Sequence, residues 1–225
     1  MMHAATYEDR RQAIETYFDR TAMAAWAALT STAQVSGIRA RVRAGRDAMR
    51  ATLLSWLPAD MTGMRLLDAG CGTGALALEA ASRGAQVVAI DLSPQLIALA
   101  AERAAAHPAA ARINFHAGDM LDPAHGRFDY VVCMDSLIHY RAPDALAALA
   151  QLQARADRAV LFTFAPRTPL LSAMLGIGKL FPRGDRSPAI EPQSERALRR
   201  RLYVARSQKI SASFYTSQAM ELPAC

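Results

Sequence analysis

The stretch Arg65-Leu66-Leu67-Asp68-Ala69-Gly70-Cys71-Gly72-Thr73-Gly74 decides the fold: a short apolar strand runs straight into a loop with glycine at alternate positions. Glycines permit a tight turn and let the backbone approach a ligand with no Cβ in between. A helix is predicted over 75–83, stopping near Gly84. Further along, strands are predicted at 86–91, 112–116, 128–133 and 158–164, with helices at 94–106 and 143–155 between them. Strands alternating with helices of this length argue βαβ units and a largely parallel sheet. Continuous apolar character in the first, second, fourth and fifth strands fits a sheet covered on both faces. The expected class is α/β and doubly wound.

Ahead of this unit, Ile14, Tyr17, Phe18, Ala22 and Trp26 recur at three- and four-residue spacings and make one apolar helical face. A second helix is predicted over 38–57, mixing Ile38, Val42, Met49, Leu53 and Leu57 with Arg39, Arg41, Arg43, Arg46 and Arg50. Residues 1–60 are thus expected to form a helical cap before a domain over 61–225. Past Pro166 the alternation breaks into an insertion over about 167–200, with a helix, an irregular loop and a short basic helix over 194–202. Strands are expected near 203–210 and 211–222.

A chain of 225 residues, 52% hydrophobic and 7% aromatic, suits one substantial domain with an aliphatic core. The net charge of +6 is uneven: residues 61–178 carry 9 basic and 10 acidic side chains, whereas 179–209 carry 9 basic and 3 acidic. Such a segment steers anionic small molecules, acidic membrane surfaces or nucleic acid, or serves as a solvated face. Cys71, Cys133 and Cys225 are odd in number and scattered, which suits a reducing compartment and offers no disulfide framework or metal cluster. The start of the chain lacks a signal-peptide core, and no apolar run reaches the roughly 18 residues of a membrane span. The expected location is cytoplasmic, with peripheral membrane contact permitted.

Three carboxylates sharpen the glycine loop. Asp68 ends the first strand, Asp91 the second, and Asp119 follows the third in Ala117-Gly118-Asp119-Met120. A pyrophosphate wants glycine amides and a helix N-terminus, and an acidic residue there would repel it. A cofactor with an amino-acid tail and a sulfonium uses that carboxylate, which favours S-adenosylmethionine over a dinucleotide. Asp91 can accept from both ribose hydroxyls; its plain alternative is a helix cap before Ser93-Pro94.

With these residues in view, 65–135 resembles the class I methyltransferases, whose sheet has seven strands and a reversed last strand. The resemblance implies that Asp68, Gly70, Cys71, Gly72 and Gly74 hold the methionyl part of S-adenosylmethionine. It also implies ribose contacts from Asp91 and Leu92, and adenine contacts from Asp119 and Met120. Several flanks resemble a narrower family: Tyr17-Phe18 with Trp26, 35–39 leading to Arg43 and Arg46, 135–140, 162–169, 178–192 and 214–218. They look like the magnesium-protoporphyrin IX O-methyltransferases of chlorophyll and bacteriochlorophyll biosynthesis. That resemblance implies a porphyrin propionate as substrate, with magnesium arriving only inside the porphyrin and no protein-bound metal.

A propionate has a pKa of roughly 4 to 5 and is already a nucleophile at pH 7. Alignment and water exclusion then carry the catalysis, where effective molarity contributes up to roughly 7–11 kcal/mol. Family resemblance points to His139 as an orienting donor or magnesium contact and to Tyr17 as a closing residue; a packed histidine and a lid aromatic are the alternatives. Asp135 is a further polar candidate, or a helix start. Arg39, Arg43, Arg46, Arg167, Arg183 and Arg186 are candidate partners for the propionates, since the guanidinium fork matches a carboxylate. A magnesium-chelatase subunit and an anionic membrane are expected contacts. Nucleic acid is not: 134–137 lack the Asn/Asp-Pro-Pro-aromatic pattern, and no recognition module is visible. The competing readings are methylation of another anionic small molecule, or a non-catalytic cofactor-binding subunit of a pigment-biosynthesis complex.

Overall fold

The computed structural model describes residues 7–20, 30, 37–167, 190–212 and 215–224. Seven strands make one sheet: β1 (Arg65–Ala69), β2 (Gln86–Asp91), β3 (Ile113–Ala117), β4 (Phe128–Cys133), β5 (Ala156–Phe164), β6 (Arg206–Ala212) and β7 (Tyr215–Pro223). Their order is β3-β2-β1-β4-β5-β7-β6. The first five are parallel, and β7 runs antiparallel to both β5 and β6.

Six α-helices belong to the described residues: α1 (Tyr7–Arg20), α2 (Gly37–Ser55), α3 (Ala75–Ser82), α4 (Pro94–Ala104), α5 (Ala142–Gln153) and α6 (Glu195–Arg199). Strand side chains alternate between two cores, as period two requires. Leu66, Val87, Ala89, Val132 and Leu161 pack with Met49, Leu53 and Leu54 of α2 and Leu76 of α3. Leu67, Val88, Ile90, Val131 and Val160 pack with Ile14 of α1, Leu149 and Leu152 of α5 and Leu198 of α6. The helix α2 packs on β6 and β7, and Arg39, Val42, Arg43, Arg46 and Arg50 of the same helix border a cavity. Phe18's side chain, Ala22 and Trp26 lie outside the described residues, as does 168–189.

The last two strands start later than the sequence predicts, at Arg206 and Tyr215. Residues 201–205 instead turn, and the Ala205 amide donates to the Glu221 carbonyl at 3.0 Å. Arg206 sits opposite Glu221 in the ladder and pairs with its carboxylate, which pins the register there. The predicted helix over 194–202 shrinks to α6, started by Ser194, whose Oγ accepts from the Ala197 amide.

Candidate active site

The carboxyl ends of β1, β2 and β4 and the amino end of the reversed β7, with α1 and α2, enclose a cavity of about 840 Å³. Open parallel sheets bind ligands at this edge. The β1 loop is tied to β2 by the Gly70 and Cys71 amides, which donate to the Ile90 carbonyl at 2.8 and 2.9 Å. The Gly72 amide donates to Asp91 Oδ2 at 2.9 Å, and the Ser93 amide to Oδ1 at 3.0 Å. Each Asp91 oxygen keeps a further lone pair for a ligand hydroxyl. Asp91 is not the helix cap: that role falls to Ser93, whose Oγ accepts from the Leu96 amide at 3.2 Å.

Asp68 is 1% exposed, and its Oδ2 has no hydrogen-bond partner. Burial, reinforced by the Asp91 charge and opposed by the Ala77 amide, pushes its pKa up to about 7. Ser136 Oγ, on the facing wall, is likewise buried without a partner. A Cβ at Gly70 would fall 2.4 Å from the Ser136 Cβ, and Gly70 has φ +84°. The cradle is thus shaped by a bare backbone, with two polar atoms awaiting donors or acceptors. A buried carboxylate oxygen without a donor suits an ammonium, and the open lone pairs of Asp91 suit a ribose diol, so these residues fit S-adenosylmethionine.

Cys71, Leu92, Asp119 and Met120 also border the cavity. Gly74 does not: it is left-handed at the start of α3, and a Cβ there would press on Phe115 and Ala100 at 3.0 and 3.2 Å. It shapes the loop from behind the cavity wall. Asp119 has a second employment that sequence reasoning missed. It accepts from Tyr7 Oη at 3.1 Å, Arg11 Nη1 at 3.0 Å and the Leu121 amide at 2.9 Å. Tyr7 stacks on Tyr140, ring centroids 4.9 Å apart. Arg10 reaches the His139 carbonyl and Glu191, both at 2.8 Å. Together these contacts fasten α1 across the opening.

Of the three predicted catalytic residues, Tyr17, Asp135 and His139 all border the cavity. His139 is 7% exposed and sits in its own short helical turn, Leu137–His139, ahead of α5. Asp135 is no helix start. With φ 54° it occupies a left-handed conformation, and its carboxylate is saturated by donors. Arg46 Nη1 lies at 2.7 Å from Oδ2, Tyr215 Oη at 3.1 Å from Oδ2, Thr163 Oγ1 at 3.0 Å and Ser217 Oγ at 3.2 Å from Oδ1. Burial and the Asp135 charge push the Tyr215 hydroxyl well above its ordinary pKa, so it stays a donor. Nothing in the spacing of Tyr215, Ser217 and Thr163 announces this cluster; the reversed β7 brings the first two to β5.

Arg39, Arg43 and Arg46 border the cavity. Arg167 does not, which corrects its place among the propionate partners. It lies in a separate shallow depression with Arg196, Arg199, Arg200 and Lys209 and donates to the Pro192 carbonyl. The crossover after β5 turns it outward, because its amide pairs with the Gln193 carbonyl. Arg183 and Arg186 are outside the described residues.

Strand order, reversed β7, glycine loop and the carboxylates Asp68 and Asp91 define a class I S-adenosylmethionine-dependent methyltransferase. A methyltransferase-domain family model matches residues 66–156, and one described as "Magnesium-protoporphyrin IX methyltransferase C-terminus" matches 133–223. The chain belongs to the magnesium-protoporphyrin IX O-methyltransferase family. It is 49% identical to the magnesium-protoporphyrin O-methyltransferase of Rhodobacter capsulatus, over 96% of this chain and 97% of that one. It is 30% identical to the Synechocystis enzyme of the same name over 95% of this chain and 96% of that one. The crystal structure of the Synechocystis PCC 6803 magnesium protoporphyrin IX methyltransferase with bound SAH superposes with a TM-score of 0.84, at 28% identity, covering 96% of this chain and all of that one.

Proposed function

We infer that the chain transfers the methyl group of S-adenosylmethionine to a propionate carboxylate of magnesium-protoporphyrin IX, giving the monomethyl ester of chlorophyll and bacteriochlorophyll biosynthesis. One observation carries this from the structure: a guanidinium-bearing chamber, Arg39, Arg43 and Arg46, opens directly off the Asp68–Gly70 loop. S-adenosylmethionine, when bound, supplies an electrophilic methyl on a cationic sulfur. Asp68 holds the ammonium end, and that pairing brings the carboxyl down from its raised pKa into the charged form. Asp91, already fixed by the Gly72 and Ser93 amides, orients the ribose.

The nucleophile is a carboxylate, so no residue must take its proton. Asp135 accordingly acts as no base: four side chains already donate to it, one of them charged. Its part is to hold Arg46 and Tyr215 in place at the chamber wall. We assign His139 to orient the substrate, by a ring hydrogen bond or by contact with the porphyrin magnesium, and Tyr17 to cover it. Arg10, Arg11 and Tyr7 keep α1 seated, which limits water at the reacting atoms.

The test is methyl-ester formation by the purified protein from S-adenosylmethionine and magnesium-protoporphyrin IX, with metal-free protoporphyrin as comparison. Monomethyl ester from the magnesium form is expected; its absence overturns the assignment. His139→Ala is expected to lower turnover more than cofactor affinity, and unchanged turnover removes its role.

We also propose a cytoplasmic enzyme that rests peripherally on anionic membrane and receives its substrate from the magnesium-inserting chelatase. The depression of Arg167, Arg196, Arg199, Arg200 and Lys209 supports the first point. The poor solubility of a free porphyrin supports the second. Among the described residues no helix is long and apolar enough to cross a membrane. Co-flotation with phosphatidylserine vesicles, absent with neutral ones, is the expected result.

A further inference from the structure

Arg39, Arg43, Arg46 and Arg50 follow one another at steps of four, three and four residues along α2, and all four border the cavity. Such spacing makes a single stripe on a helix. Arg46 pairs with Asp135 at 2.7 Å and Arg50 with Asp47 at 2.9 Å. Arg39 is exposed at the rim and Arg43 half-buried beneath it. These two fall in the first two turns of α2, whose first turn has no acidic residue. The helix dipole disfavours cations at that end, and an anion bound there relieves the conflict.

We propose that Arg39 and Arg43 hold the propionate that is not methylated, and that this contact limits the product to a monoester. The proposal rests on the magnesium-protoporphyrin reading above and divides its substrate between two subsites. A porphyrin of this type carries its two propionates side by side on one edge of the macrocycle. Along the helix axis Arg39 stands roughly 10 Å from Arg46, and Arg43 roughly 4.5 Å. The reacting carboxylate belongs at the inner end. Asp135, the partner of Arg46, directly precedes Ser136, and Ser136 abuts Gly70 of the cofactor loop. The other propionate of the same edge then falls toward the rim.

Methyl transfer forms a bond from carboxylate oxygen to carbon and breaks the carbon–sulfur bond, whose electron pair returns to a now neutral sulfur. The product ester carries no charge. For a second methylation the macrocycle must turn over and set that ester against Arg39 and Arg43. Hydrogen bonds to a charged acceptor are about twice as strong as those to a neutral one. The turned-over monoester is therefore held more weakly than the diacid, and the second transfer is suppressed.

A cycle crossing protein and substrate tests this. The double variant Arg39→Ala/Arg43→Ala is compared with wild type on magnesium-protoporphyrin IX and on its analogue with one propionate converted to the amide. On the diacid, the variant is expected to raise KM about tenfold or more while kcat moves less than about threefold. Wild type is expected to lose a similar factor on the monoamide. The variant should lose nothing further on it, and its diester-to-monoester ratio should rise. Cofactor affinity measured by calorimetry reports that the variant is folded. Losses that multiply independently, or a loss confined to kcat, overturn the subsite assignment. Failure of wild type to methylate the diacid would instead overturn the parent reading.

Discussion

The two halves of the chamber are built by different means. The cofactor half draws Asp68, Gly70, Gly72, Asp91 and Asp119 from successive strand ends within about 50 residues; two backbone amides set Asp91, and one sets Asp119 beside the α1 side chains Tyr7 and Arg11. The substrate half is assembled by side chains from remote segments: Arg46 and Asp135 are 89 residues apart, Tyr215 and Asp135 80, Arg10 and Glu191 181. Backbone-built sites follow from a local motif. Side-chain-built sites exist only once the sheet and the N-terminal helices have come together.

The sharpest way to break this division is Gly70→Ala, because the new Cβ meets Ser136, where the halves touch. Overpacking and a left-handed alanine together cost about 3 kcal/mol, which is roughly 100-fold in cofactor affinity. Porphyrin turnover at saturating cofactor should fall as well. A defect confined to cofactor binding would mean that the halves are independent.

Asp135→Asn addresses the substrate half alone. Removing the charge leaves the Arg46 guanidinium, whose side chain is 19% exposed, without its anion. A loss of about 3 kcal/mol is expected in denaturant unfolding. Adding Arg46→Met should recover much of that stability but not the turnover. If the double variant regains turnover, the pair is packing and not positioning.

The cofactor half should carry its own pH signature. Burial holds the unliganded Asp68 near 7, so below that pH the carboxyl must lose a proton before it can take an ammonium. Cofactor affinity should fall by up to about tenfold per unit below pH 7. Asp68→Asn should bind weakly with that slope abolished; a retained slope would assign it to another group. The smallest effect is expected at the seam. Tyr7→Phe loses the hydrogen bond to Asp119 but keeps the stack on Tyr140, so about a threefold rise in cofactor Kd is expected. An effect above thirtyfold would make α1 part of the cofactor site proper.

How far the sequence reads follows the same line. The five parallel strands and their helices are legible from period and length, because each βαβ unit is local. The late strands are misplaced by a few residues because their register depends on Arg206 meeting Glu221 across the ladder. Asp135 was visible as a candidate, yet its nature was not: Thr163, Tyr215 and Ser217 reach it only through the β5–β7 pairing. Arg167 had the right chemistry and the wrong direction, since the backbone bridge to Gln193 turns it from the cavity. Gly45 is a further silent position. A Cβ there would meet the Tyr215 ring at 2.6 Å, so this one glycine lets α2 approach β7.

By itself, then, the sequence determined the sheet class and the methyl donor, because a strand-loop-helix with Asp68, three glycines and Asp91 is short-range chemistry. Resemblance in the flanks pointed to the porphyrin. Only the tertiary structure decided which arginines line the cavity, that four side chains donate to the Asp135 carboxylate, and that Asp119 fastens α1. Those outcomes depend on directions and distances between segments that meet only when hydrophobic faces are buried together, and no spacing along the chain encodes them.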